Sequence, residues 1–183
     1  LKALYSIESE TYGFEKNHSL LNIKNEELKE ELAKQRPDRL LLVAESIRRD
    51  FTLSEINSLT FIDMFFLREI KQIIDIEKDI VKKDGDLDED FLIYIKSMGF
   101  SSQHIANLSK LSLRNVFQKL ERFNIKNIFK RVDTCGNEFD SSTAYLYSTF
   151  EKEINAFSCE ARPENKKKII ILGSGPNRIG QGI

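Results

Sequence analysis

The chain has 183 residues, 40% of them hydrophobic and 31% charged, which suits one ordinary soluble globular domain with some flanking material. Its 28 Lys and Arg almost cancel its 29 Asp and Glu, so there is no global electrostatic reason to bind nucleic acid or an anionic membrane. Thirteen Phe against eight Gly and three Pro argue against disorder, and two Cys without CxxC spacing argue against a disulfide framework and for a reducing, cytoplasmic setting. The two histidines, His18 and His104, stand far apart with no thiol or carboxylate cluster at ligand spacing, so no zinc site is expected. The longest apolar runs are four to five residues, such as Met64–Leu67 and Ile169–Leu172, and fall far short of a membrane span. The opening Leu1-Lys2-Ala3-Leu4-Tyr5 has neither Met nor a signal-peptide pattern, and both ends are expected to be cut.

The highly charged stretch from Lys24 to Lys34 predicts a short solvated helix, broken at Gln35-Arg36-Pro37-Asp38. Asp38 offers an N-cap to a following helix on which Leu40, Leu41, Val43, Ala44 and Ile47 recur at helical spacing. Ser54 offers the cap of a short helix carrying Ile56 and Leu59. From Asp63 to about Lys83 the period is strongest. Phe66, Ile70, Ile73, Ile74, Ile80 and Val81 fall near one stripe, and Arg68, Lys71, Asp75 and Lys78 face away. Asp63 caps this helix, and Lys82-Lys83 complement the negative end of its dipole.

Asp84-Gly85-Asp86 predicts a turn. Phe91, Leu92, Ile95 and Met98 mark the next helix, with Gly99 as its left-handed stop. Ser101 or Ser102 caps a helix with Ile105 and Leu108, and Ser112 starts another with Val116, Phe117 and Leu120 inside. The segment Phe51–Thr60 resembles Phe100–Ser109: Phe, Ile and Leu coincide, with Thr or Ser at both ends. This is either a repeated helical hairpin or a shared capping pattern.

After Ile125 the texture changes. Ile128–Val132 reads as a short strand or extended run, and Asp133–Thr149 as an irregular segment. Ile169-Ile170-Ile171-Leu172 reads as a buried parallel strand, led into by the solvated Lys166–Lys168. It runs into a Gly-rich turn whose Gly173, Gly175, Pro176 and Asn177 precede Arg178, Ile179, Gly180, Gln181 and Gly182. Glycines there permit a sharp turn and close approach of a ligand to main-chain amides, but the spacing to Gly180 does not match a nicotinamide fingerprint. Asp133, Glu138 and Asp140 read as turn and cap residues, and Cys135 as a small packing residue with no His beside it in sequence. A rival of another class is a helix-turn-helix module over residues 101–123. Ser102–Ala106 and Ser112–Val116 have its spacing, with Arg114, Asn115, Gln118 and Lys119 on the second helix. The acidic overall balance and Glu121 stand against it.

The string Gly173–Ile183 closely resembles the opening of the second synthetase half in carbamoyl-phosphate synthase large chains. Lys130–Cys135, Glu138-Phe139 and Thr143–Thr149 are similar to the signature upstream of that opening. Leu59-Thr60, Ile62-Asp63, Phe66-Leu67, Glu77, Gly99–Ser101 and Ile105-Ala106 resemble the helical module between the two halves. Met64-Phe65 stands where the family usually has Pro-Trp, Gly136 where it has Ala, and Phe150 where it has Tyr. The lost proline removes some preorganisation of the helix start.

The resemblance implies a mainly α fold: residues 1–15 ending an ATP-grasp half, 16–155 a helical oligomerisation domain, and 156–183 a linker with the first strand of the next α/β domain. It implies a piece of an enzyme that makes carbamoyl phosphate from bicarbonate, glutamine-derived ammonia and two ATP. This piece would act as a scaffold and hold no catalytic, cofactor or metal residues of its own. ATP with magnesium, and optionally potassium, would serve the whole enzyme. The implied partners are the two ATP-grasp halves, a glutaminase subunit or domain and further copies of the chain, with no nucleic acid and no membrane. Arg178, Gly180, Gln181 and Gly182 would border an internal route for carbamate, and Arg178 would serve either an anionic intermediate or a structural salt bridge.

Overall fold

The computed structural model describes residues 12–14, 23–136, 138–139, 145–150 and 159–170. These residues form seven helices and one antiparallel pair of strands: α1 (Asn25–Ala33), α2 (Arg39–Arg48), α3 (Leu53–Thr60), α4 (Met64–Lys83), α5 (Glu89–Ser97), α6 (Ser102–Ser109), α7 (Leu113–Arg122), β1 (Ile128–Arg131) and β2 (Leu146–Thr149). The fold is mainly helical, as the sequence predicts.

The likeness between Phe51–Thr60 and Phe100–Ser109 is a repeat of structure, not only of capping. Both copies begin by ending a helix in the same way. After α2, Phe51 N–H donates to Ser46 O (3.0 Å) and Asp50 N–H to Ile47 O (3.1 Å). After α5, Phe100 N–H donates to Ile95 O (3.1 Å) and Gly99 N–H to Lys96 O (3.0 Å). Asp50 (φ 61°) and Gly99 (φ 92°) are both left-handed, the conformation that lets the chain reverse and satisfy the last carbonyls. Thr52 and Ser101 then cap α3 and α6, accepting from Glu55 N–H (3.2 Å) and His104 N–H (3.1 Å). Phe61 (φ 55°) and Lys110 (φ 59°) stop those helices, and two residues later Asp63 and Ser112 cap α4 and α7. With a shift of 49 positions (Phe51 to Phe100), Val43 matches Leu92, Ile56 matches Ile105 and Leu67 matches Val116, all fully buried.

The long helix α4 closes the first copy and opens the second. Its twenty residues span about 30 Å. Leu67, Ile70 and Ile74 lie in a core with Leu28, Leu32, Leu42, Val43, Ala44, Ile47 and Ile56, against α1, α2 and α3. Ile76 and Ile80 lie in a second core with Leu87, Leu92, Ile95, Phe100, Ile105, Val116 and Leu120, while Ile73 touches both. One helix thus serves two cores in series. The turn after it requires glycine: Gly85 has φ 89°, and a Cβ there would lie 3.1 Å from Leu111 Cδ2.

Several sequence expectations need correction. The charged stretch at α1 is not simply solvated, because Leu28 and Leu32 are fully buried every fourth residue beneath a charged outer face. Asp38 stands at the N-cap of α2 without capping it, since both its carboxylate oxygens accept from Arg36 (Nε and Nη2, each 2.8 Å). Thr52, not Ser54, caps α3, in a capping box where the Glu55 carboxylate accepts from Thr52 N–H at 2.9 Å. Phe66 and Val81 leave the inner stripe of α4 and are 59% and 47% exposed, whereas Leu67 takes the inward place. Phe117 also points out of α7, 54% exposed, while Val116 and Leu120 face in.

Within the stretch read as irregular, Leu146–Thr149 pairs with Ile128–Arg131, in the register Ile128 to Thr149 and Arg131 to Leu146. The pairing partner lies fifteen or more residues away, which local periodicity does not encode. Cys135 is exposed rather than packed: it sits in a turn where its N–H donates to Asp133 Oδ1 (2.9 Å), the turn role expected of Asp133. Ile169 and Ile170 are exposed and unpaired among the described residues, which hold no sheet that they could join as a parallel strand. Ile171 and Leu172 lie outside the described residues.

Candidate functional site

Three places stand out once the repeat is recognised. The first is a buried polar cluster at the joint between the copies. Glu77, on the inner side of α4, is 4% exposed. Its Oε2 accepts from Arg48 Nη2 of α2 at 2.6 Å, and Arg48 also donates to the Phe14 carbonyl. Arg48 Nη1 lies 3.6 Å from Glu45, whose other oxygen accepts from Arg49 Nε at 2.9 Å. On the opposite side, Glu77 Oε1 lies 3.3 Å from Nε2 of His104, a fully buried residue of α6 stacked on Phe100. That last contact is within ion-pair distance but off the axis of a hydrogen bond. Glu77 therefore faces α2 of the first copy and α6 of the second. Two Glu and two Arg balance in charge, which is what makes their shared burial tolerable.

The second place is an exposed aromatic group at the start of α4. Phe61 is 87% exposed, Phe65 61% and Phe66 59%, with the last two rings edge to face at 5.4 Å. At the matching positions the second copy carries Lys110, Arg114 and Asn115. The same backbone corner is thus apolar in one copy and polar in the other. Exposed aromatic groups of this size mark contact surfaces more often than they occur by chance.

The third is Lys96 on α5, 7% exposed and set where the first copy has the core residue Ile47. Its Nζ donates to Phe100 O (3.0 Å) and Ser102 Oγ (3.3 Å). Burial pushes its ammonium down to about 8, from an ordinary lysine value of 10.5.

None of these three was singled out as a site by the sequence, although Glu77 belongs to the stretch that carries the resemblance. The usable signal was a polar residue at a core-facing position of an amphipathic helix, as with Lys96, Glu77 and His104. The residues that were singled out, Gly173, Gly175, Pro176, Asn177, Arg178, Gly180, Gln181 and Gly182, all lie outside the described residues. Among the described residues no group of three His, Cys, Asp or Glu is placed to hold a metal. No helix among them is long and apolar enough to cross a membrane.

The helix-turn-helix alternative falls on α6 and α7. Their corner, Lys110-Leu111-Ser112, repeats the corner Phe61-Ile62-Asp63 between α3 and α4, so it belongs to the internal repeat of a packing unit. The outer face of α7 mixes Arg114 and Arg122 with the exposed Phe117 and Glu121. Nucleic-acid binding is not favoured.

Among the described residues the fold is a helical repeat with paired cores and an exposed aromatic corner, a mainly helical domain. Comparison with known proteins specifies which one: residues 1–124 match the sequence model of the carbamoyl-phosphate synthetase large chain oligomerisation domain, and the chain belongs to that family. It is similar over its whole length to carbamoyl phosphate synthase large chains of Neisseria meningitidis serogroup A (43% identity), Pasteurella multocida (43%) and Clostridium beijerinckii (40%). The chain spans 16% of the length of the first two relatives and 17% of the third.

Two outcomes follow from the buried groups. Arg48→Met leaves Glu77 charged and short of its main partner, and is expected to cost about 3–5 kcal/mol in chemical denaturation. Pairing it with Glu77→Leu should recover most of that loss. Lys96 has its pH effect in the alkaline range. Between about pH 8 and 10.5 the folded chain binds fewer protons at this site than the unfolded chain, so stability rises with pH there. That contribution is complete above 10.5 and lost as pH falls through 8. Denaturation curves of wild type against Lys96→Met, whose side chain does not titrate, should converge or cross over this window.

Proposed function

We propose that this chain is the scaffold and subunit-contact module of a carbamoyl-phosphate synthase large chain, between two ATP-grasp halves, with residues 16–155 as its helical domain. The parent enzyme would be a ligase making carbamoyl phosphate from bicarbonate, ammonia and ATP with magnesium, served by a glutaminase partner. The observation that carries the reading is α4: a helix about 30 Å long, rooted in two cores and starting from an exposed aromatic corner. Such an element transmits position rather than chemistry. Family membership supports the same reading, and the relatives' names give the product, carbamoyl phosphate.

In this reading Phe61, Phe65 and Phe66 belong to a contact surface with another copy or another part of the enzyme. The chain by itself is expected to sediment above the mass of one copy, and Phe65→Asp with Phe66→Asp to shift it toward a single copy. A wild-type mass of one chain at the highest soluble concentration removes self-association from the proposal. The isolated chain should release no phosphate from ATP in a turnover assay, because the reading houses the reactive groups elsewhere in the enzyme.

Arg178, Gly180, Gln181 and Gly182 are proposed to border the carbamate route, on the strength of the resemblance of their string. A glycine suits such a wall because any β-carbon narrows the passage. Gly182→Phe in the full-length enzyme is expected to uncouple ammonia consumption from product formation. Unchanged coupling assigns Gly182 a purely structural part.

A further inference from the structure

The β1–β2 arm is a minimal sheet. It is a two-stranded pair whose β2 side chains Leu146 and Tyr147 are 41% and 51% exposed, as is Tyr145 (51%) just before them. An isolated pair of this kind is marginally stable in water. The end of the pair at which Ile128 is buried also makes a defined contact with the helical body. Phe150, the residue directly after β2, places its ring over the Lys96 ammonium, 4.5 Å from Nζ to the ring centroid. The same ammonium ties the C-terminal turn of α5 to the start of α6 through Phe100 O and Ser102 Oγ.

The repeat shows how unusual this lysine is. At the matching place in the first copy, Ile47 fills the core. A lysine in a core position is expensive to bury, and its stem alone would not justify it when an isoleucine serves the same packing. The second copy departs from the first at the point where the arm arrives.

We propose that Lys96 is the anchor that docks the β1–β2 arm on the α5–α6 corner, through its ammonium and the ring of Phe150. This goes beyond the scaffold reading, since it concerns how this chain fixes its own arm whatever the parent enzyme does. The neighbouring segment completes the seat: Glu160 N–H donates to Phe129 O at 2.7 Å along the free side of β1, and the Glu160 carboxylate accepts from Arg131 N–H. The arm is thereby held along β1 by the extended segment and at its Ile128–Thr149 end by the lysine.

Amide hydrogen exchange on the 183-residue chain tests the anchor. Lys96→Met keeps the apolar stem and removes the charge; exchange across Leu146–Thr149 should rise about tenfold, the loss expected for a desolvated cation–π contact, while protection in α5 and α6 is maintained. Phe150→Leu should produce the same change from the other side, and the double variant no more than either single one. Phe150→Tyr, which retains an aromatic face, should restore the wild-type rate. If Lys96→Met disturbs the helices themselves, Phe150→Leu decides, because that residue lies outside both helical cores. Unchanged β2 protection in Phe150→Leu, or additive effects in the double variant, overturns the proposal. Loss of self-association in the mass experiment above leaves it untouched, so the two readings fail separately.

Discussion

The structure depends on one helix being buried twice. In most small helical domains each amphipathic helix faces a single core, and its length is set by that core. Here α4 gives Leu67, Ile70 and Ile74 to one cluster and Ile76 and Ile80 to another, so a fixed rod joins them. Burial of five large aliphatic side chains along one helix contributes about 1.5–3 kcal/mol each, before the entropy of ordering the chain is set against it. The joint between the cores is where such a rod would be free to bend or rotate. Glu77 sits there, engaged by Arg48 from one side and near His104 on the other, and a paired charge fixes orientation in a way that greasy contact does not.

Duplication explains why so few kinds of local chemistry suffice. The two copies reuse the same left-handed helix stop, the same hydroxyl cap and the same three-residue corner. Each device satisfies backbone groups that a helix end leaves unpaired, so each copy can fold its chain back at a fixed angle without relying on its neighbour. What differs between copies is side chains at matched positions. Ile47 becomes Lys96, Arg48 becomes Ser97, Glu55 becomes His104, and the aromatic corner becomes Lys110, Arg114 and Asn115. The buried lysine and the aromatic corner, each distinctive to one copy, fall at these substitutions.

Much of the helical architecture was legible in the sequence, because capping and period-3.6 burial are local. The limits of α4, the stop at Gly99, the turn at Gly85 and the caps at Asp63 and Ser112 all follow from residues within a few positions of one another, which also narrow the cap before α6 to Ser101 or Ser102. Misreadings arose where tertiary context chose between local options. Asp38 had a guanidinium two residues away that outbid the helix N–H groups, and Phe66 lay one position from the residue that turned inward. The strand at Leu146–Thr149 exists through a partner distant in sequence. The polar residues of the joint were not legible as a group, since Arg48, Glu77 and His104 meet only after three helices have packed. The family was legible for another reason: its motifs are strings of unusual residues whose order along the chain is specific even where their structure is not described.

The unequal dressing of the two corners bears on how copies of this module can join. A surface that recurred on both halves of a duplicated rod would offer two equivalent docking faces, and units would be able to add at either end without limit. Here one corner carries Phe61, Phe65 and Phe66 and its counterpart Lys110, Arg114 and Asn115, so the two corners are not equivalent docking faces. An assembly that paired the phenylalanine corner with itself would close as a dimer instead of growing into a filament.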